Sequence, residues 1–133
     1  MSRSGYVEDM DDNWALIKWR GQVASAIRGK RGQQFLRDLI AALDAMPEKR
    51  LISGDLQLDG EVCALGAVAV AKGLPVEQMD TYDYDAMASQ FNVAHQMLQE
   101  IMFENDEDYG GSPEGRWKWM RRWATQNLRE VPA

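Results

Sequence analysis

The segment Arg28-Gly29-Lys30-Arg31-Gly32-Gln33 places three cations around two glycines. Flexible backbone, basic side chains and the free N–H groups of a following helix are the parts from which a phosphate cradle is built. The G-x-x-x-x-G-K-[ST] spacing of a nucleotide-triphosphate loop is absent. The segment therefore points to nucleic acid or phosphate, to an acidic protein surface, or to a solvated turn whose cations suit the negative end of a helix. Lys18 and Arg20 would widen a patch formed by Arg28, Lys30 and Arg31. Arg20 falls within the apolar arc of its own segment, so its stem is expected to pack and its head to reach a carboxylate, with an anion contact as the alternative.

A second candidate is Arg116-Trp117-Lys118-Trp119-Met120-Arg121-Arg122-Trp123. Cations interleaved with tryptophans can stack on bases, lie on a membrane or dock a partner. Helical spacing puts Trp117 with the apolar face and pairs Trp119 with Trp123 on its flank, where the pair would anchor a protein partner. The alternative is a terminal helix docked on the core.

Catalytic chemistry is poorly provided for. His95 is the one histidine and Cys63 the one cysteine; a dyad is conceivable, but Cys63 sits in an apolar run that disfavours a thiolate. Asp106, Asp108, Gly111 and Glu114 echo a calcium loop, yet Trp117 stands where the closing bidentate acid belongs. Residues 86–96 resemble a helix-turn-helix, but the would-be reading helix bears Glu100 and Glu104 and no Lys or Arg, so a duplex would repel it. No catalytic residue, cofactor or metal site is predicted.

These groups have to be positioned by helices. Asp11, Asp12 or Asn13 can cap a first helix whose Leu16, Trp19, Val23, Ala26 and Ile27 share a face. Gly29-Lys30-Arg31-Gly32 ends it as a loop, and Phe35, Leu36, Leu39, Ile40, Leu43 and Met46 define a second helix stopped by Pro47, the two forming an antiparallel hairpin. Leu56-Gln57-Leu58 and Glu61-Val62-Cys63 around Asp59-Gly60 predict a short β-hairpin. Residues 63–71 are apolar all round and read as the central core helix. Residues 86–104 show a helical register with a corner at Asn92, residues 106–113 an acidic loop, and residues 114–129 a last helix. The expectation is a mainly α fold: one domain over 1–133, a compact bundle of about five helices, with a β-hairpin near residues 55–63 and loose termini at 1–12 and 130–133.

Charge runs in blocks along the chain. Six basic residues and no acid lie in 14–37; ten acids and no Lys or Arg lie in 73–115; five basic residues and one acid follow, within a net charge of −6. Such blocks either pair with each other or meet partners of opposite sign. Glu104, Asp106, Glu107 and Asp108 are the expected acidic surface. No apolar run is long enough for a membrane span, the start lacks a secretory signal, and an unpaired cysteine suits a reducing compartment. A cytoplasmic protein is expected.

Several blocks together resemble small proteins encoded in tailed-phage and prophage genomes: Ser2-Arg3-Ser4-Gly5-Tyr6, Asp12-Asn13-Trp14-Ala15-Leu16-Ile17 with Trp19-Arg20-Gly21, Ser25-Ala26-Ile27 running into the basic hexapeptide, Cys63-Ala64-Leu65-Gly66-Ala67, and Glu104-Asn105-Asp106-Glu107. That resemblance implies an accessory protein working inside a bacterial host and brings no activity with it. The sequence thus predicts a non-enzymatic protein binding a host or phage macromolecule, with an acidic nucleic-acid mimic as one version and nucleic-acid binding through residues 28–31 as the alternative. The oligomeric state is not legible, a homodimer being one option.

Overall fold

A computed structural model describes residues 2–6 and 13–129. The expected caps Asp11 and Asp12, and residues 7–12 and 130–133 of the expected loose termini, lie outside the described residues. Residues 2–6 overturn the expectation for the start of the chain, because Arg3 and Ser4 are buried.

The described residues form a mainly α fold with one small β-hairpin. Helix α1 (Asn13–Arg28) and helix α2 (Lys30–Ala45) are separated by Gly29 alone. The four-residue loop expected at 29–32 is therefore a corner, and Lys30, Arg31 and Gly32 belong to the first turn of α2. The physical reason lies at Gly32, which is buried: a Cβ there would stand 2.1 Å from the Ala26 carbonyl oxygen. Only glycine lets the start of α2 close on the end of α1 at that distance.

Strands β1 (Gln57–Leu58) and β2 (Glu61–Val62) pair antiparallel, Gln57 opposite Val62 and Leu58 opposite Glu61. Asp59 and Gly60 both take positive φ, the requirement of the tight turn this dipeptide favours. Cys63 then caps helix α3 (Ala64–Lys72), its Sγ accepting from the Gly66 N–H. Gly66 presses the helix onto the hairpin, since a Cβ would stand 1.9 Å from the Leu56 carbonyl oxygen. Left-handed Gly73 ends α3, and its last turn emerges to solvent at Val70. A 3₁₀ turn (Val76–Gln78) leads to helix α4 (Tyr84–Phe91), capped by the Asp83 carboxylate. Left-handed Asn92 makes the expected corner before helix α5 (His95–Phe103). Residues expected to begin an acidic loop instead continue α5 as a π-helical turn (Glu104–Asp108). Helix α6 (Pro113–Asn127) starts from a Ser112 cap with proline in its first turn.

Helix α2 is the hub, touching α1, α3 and α6, while α3 lies between α2 and α5. Leu36, Leu39 and Leu43 of α2, Leu65 and Val68 of α3, Leu98 and Ile101 of α5, and Met120 and Ala124 of α6 are fully enclosed. This packing brings the end of α6 to the α1–α2 corner.

Candidate functional site

Gln33 assembles that corner. It lies on the apolar face of α2, in helical register with Leu36 and Ile40, and is itself buried. Its amide nitrogen donates to the carbonyls of Ile27 (2.8 Å) and Asn127 (3.1 Å), and its amide oxygen accepts from the Arg129 N–H (2.7 Å). One side chain thus ties the end of α1, the start of α2 and the end of α6 together. A polar residue in the apolar register of α2 was the sequence signal for this role.

Around the clamp stand Arg28, Lys30, Arg31 and Arg129, all exposed. None of them makes an ion pair or a side-chain hydrogen bond among the described residues. Arg28 ends α1, where the helix dipole favours a cation. Lys30 and Arg31 occupy the opposite situation. They sit at the positive end of α2, which has no acidic residue in its first turn and no side-chain cap on Gly29. The structure gathers Arg28, Lys30 and Arg31 as the sequence suggested and adds Arg129.

Lys18 stands apart from them, and Arg20 meets Arg28 and Arg129 only along the wall of a neighbouring cleft, its head already paired. Lys18 is exposed further back along α1, lining a shallow groove with Gly21, Ser25 and Gln96. Arg20 reaches Glu100 through two hydrogen bonds of 2.8 Å, and Glu100 also accepts from the Tyr6 hydroxyl (2.7 Å). The Glu100 hydrogen bonds hold the Arg20 guanidinium above its ordinary value. Burial and the same carboxylate push the Tyr6 phenol up.

The expected acidic surface at residues 104–108 is largely turned inward. Glu104 is buried. Burial first, then the neighbouring Asp108 and Glu100 carboxyls, push its pKa up to about 8. Asp106 accepts from Arg3 at 2.6 and 2.9 Å, from the Gly54 N–H at 3.0 Å and from Asn105 at 2.8 Å. Burial alone would raise this carboxyl, but the hydrogen bonds and charge of Arg3, with those two further donors, hold it below the usual carboxylate range. Glu107 is exposed but accepts from the Ser4 hydroxyl, and Asp108 is exposed. The inward turn follows from the π-helical continuation, which buries Glu104 and Asn105 and brings Asp106 and Glu107 to Arg3 and Ser4. Tyr84 completes this clasp by donating to the Arg3 carbonyl (2.8 Å), and Gln99 by donating to that of Ser4 (3.0 Å). The acids that do face solvent without an ion pair among the described residues include Asp55, Glu77, Asp80, Asp83 and Asp85; the first three border a shallow cleft with Tyr82.

The aromatic candidates are half-buried. Trp119 stacks on Tyr109, centroids 5.9 Å apart, and its indole N–H is enclosed; Trp123 packs against the core. Trp117 donates to the Leu43 carbonyl (3.1 Å). Arg116, the first cation of the tryptophan-rich segment, is not offered to a partner: it is buried and donates to the carbonyls of Asn105 (2.8 Å) and Leu51 (3.2 Å). Cys63 and His95 stay apart: the thiol lies beside Arg3 at the α3 cap, and the imidazole bonds Gln99 at 2.8 Å. Among the described residues no helix is long and apolar enough to cross a membrane.

A cleft of about 440 Å³ opens beside the corner, between α1, the end of α5 and the end of α6, with Arg28, Arg129, Trp123 and Glu104 among its walls. No protein-family profile, curated protein or solved structure matches the chain.

Proposed function

We propose that this chain is a non-enzymatic accessory protein, of the phage-encoded kind its sequence resembles, that binds nucleic acid in the bacterial cytoplasm through the α1–α2 corner. The observation behind this reading is the placement of Lys30 and Arg31. Two cations at the positive end of a helix, without a cap or a counter-ion, cost stability. Residues that break a local rule without a structural gain are those expected at functional sites. With Arg28 and Arg129, held beside them by the Gln33 clamp, they present four cations, a set that suits phosphate oxygens. The acidic-mimic version loses support, because Glu104 is buried and Asp106 is paired with Arg3.

Fluorescence anisotropy with labelled single- and double-stranded DNA and RNA tests the reading. Three or four phosphate contacts give a log–log salt slope of about −3. The triple variant Arg28→Ala, Lys30→Ala, Arg31→Ala is expected to lose at least ten-fold in affinity with an unchanged melting curve. Absence of binding to every one of these ligands at low salt would refute it.

A further inference from the structure

We propose that the cleft beside the α1–α2 corner takes one nucleotide, either a free mononucleotide or one unstacked residue of a single strand, with its phosphate on Arg28 and Arg129 and its base against Trp123. The inference rests on reading the corner as a phosphate-binding surface and adds to it a ligand of defined chemistry. The cleft's volume, about 440 Å³, falls within the range of small-molecule sites. Its composition is graded from rim to floor. Arg28 and Arg129 at the rim are exposed and make no ion pair among the described residues, so both can turn to a phosphate.

The floor is acidic in sequence but carries little net charge in the fold. Glu100 is neutralised by its bidentate contact with Arg20 and further satisfied by Tyr6. Glu104, buried and with no cation bonded to it among the described residues, lies beside Asp108 of its own turn and lines the cleft together with Glu100 of α5, Arg20 and Arg28 of α1 and Arg129 beyond α6. Burial and the two neighbouring carboxyls push its pKa up to about 8, which favours the protonated form. A protonated Glu104 spares the rim phosphate the repulsion that its ionised form would bring.

Trp123 supplies the remaining wall. An indole accepts any base by stacking, without sequence preference. Inorganic phosphate would use the rim and leave the floor and the aromatic wall empty. A nucleotide uses all three.

Calorimetric titration of the full chain with AMP, with inorganic phosphate and with a short oligo-dA distinguishes the sources. AMP is expected to bind at least ten-fold more tightly than phosphate. Arg129→Ala, a change at an exposed position, should weaken AMP at least ten-fold, and Trp123→Leu should do the same if it melts as the parent does. The proposal is overturned if phosphate binds as well as AMP, or if Arg129→Ala leaves AMP affinity unchanged. Oligo-dA binding without AMP binding also overturns the cleft while the phosphate-binding corner stands. AMP binding without any polymer binding upholds the cleft and removes the nucleic-acid reading.

Discussion

Arg3 and Asp106 carry opposite charges into a part of the protein where little water reaches, the arginine side chain being 3% exposed and the carboxylate 12%. Such a pair contributes little net stability over an apolar isostere, but removing one partner leaves the other charge buried and uncompensated, at a cost of about 3–5 kcal/mol. The two halves are not equivalent. Asp106 keeps the Gly54 N–H and Asn105 when Arg3 is gone, whereas Arg3 is left without a carboxylate among the described residues when Asp106 is gone. Asp106→Ala is therefore expected to lower the melting temperature by on the order of 10 °C, and Arg3→Ala by less, in thermal denaturation followed by circular dichroism. Because the folded pKa of Asp106 is depressed, its contribution is present above the unfolded carboxylate value near 4 and is lost as pH falls below it. Glu104 has the opposite sign. Its carboxyl titrates at about 8 in the fold and near about 4.3 in an unfolded chain. Between those values the folded state holds a proton that the unfolded state has released, so stability declines as pH rises through the window and levels off above it. Glu104→Gln removes the dependence. It is expected to match the parent near pH 5 and to exceed it by about 1–3 kcal/mol above pH 8, the scale of an uncompensated buried polar group. Equal stabilities at both pH values in urea titrations would show that Glu104 is ionised in the fold.

At the scale of elements, glycines give the sharpest contrast. Gly21 lies mid-helix in α1 with no atom within 4 Å of a Cβ built on it, so Gly21→Ala should stabilise by about 0.5–1 kcal/mol. Gly32 meets the Ala26 carbonyl at 2.1 Å, and Gly32→Ala should destabilise by about 3 kcal/mol or more, because backbone has to move. Melting temperatures that move the same way for both would contradict the packing of the α1–α2 corner. What was legible in the sequence follows the range of the forces involved. The apolar registers of α2, α5 and α6, the Asp59-Gly60 turn and the Asn92 corner are set by neighbours within a few residues, and the fold has them where periodicity and turn chemistry put them. The expected carboxylate partner of Arg20 is present as Glu100, eighty positions away. The rest was hidden because it depends on distant contacts. Nothing local marks residues 2–6 as packed, since Arg3 meets Asp106 across 103 positions. Gly32 reads as a loop glycine until the Ala26 carbonyl is known to lie against it. Glu104 reads as a surface acid until the π-helical turn carries it inward.

At the scale of the whole molecule the question is why a chain of net charge −6 keeps an exposed cationic corner. Of its exposed acids, Asp55, Glu77 and Asp80 border the other cleft, while of the acids lining the cleft beside the corner Glu100 is occupied by Arg20 and Glu104 is buried. The corner therefore presents its cations with little local compensation, and the local field there favours a polyanion. If the corner existed for folding, reversing its charges would harm folding. Helix electrostatics predicts otherwise. Lys30→Glu and Arg31→Glu put acids at the positive end of α2, each worth about 0.3–1 kcal/mol in favour of the fold, whereas Arg28→Glu at the end of α1 costs a similar amount. The triple reversal should thus melt at or slightly above the parent temperature, and binding of labelled nucleic acid should vanish at every salt concentration. Restoring Arg28 alone should raise stability further without recovering full affinity, since two reversed charges still face the phosphates. A triple variant that unfolds would make the corner a structural device. One that melts higher and binds nothing identifies it as a surface kept, at some expense in stability, for contact with an anion.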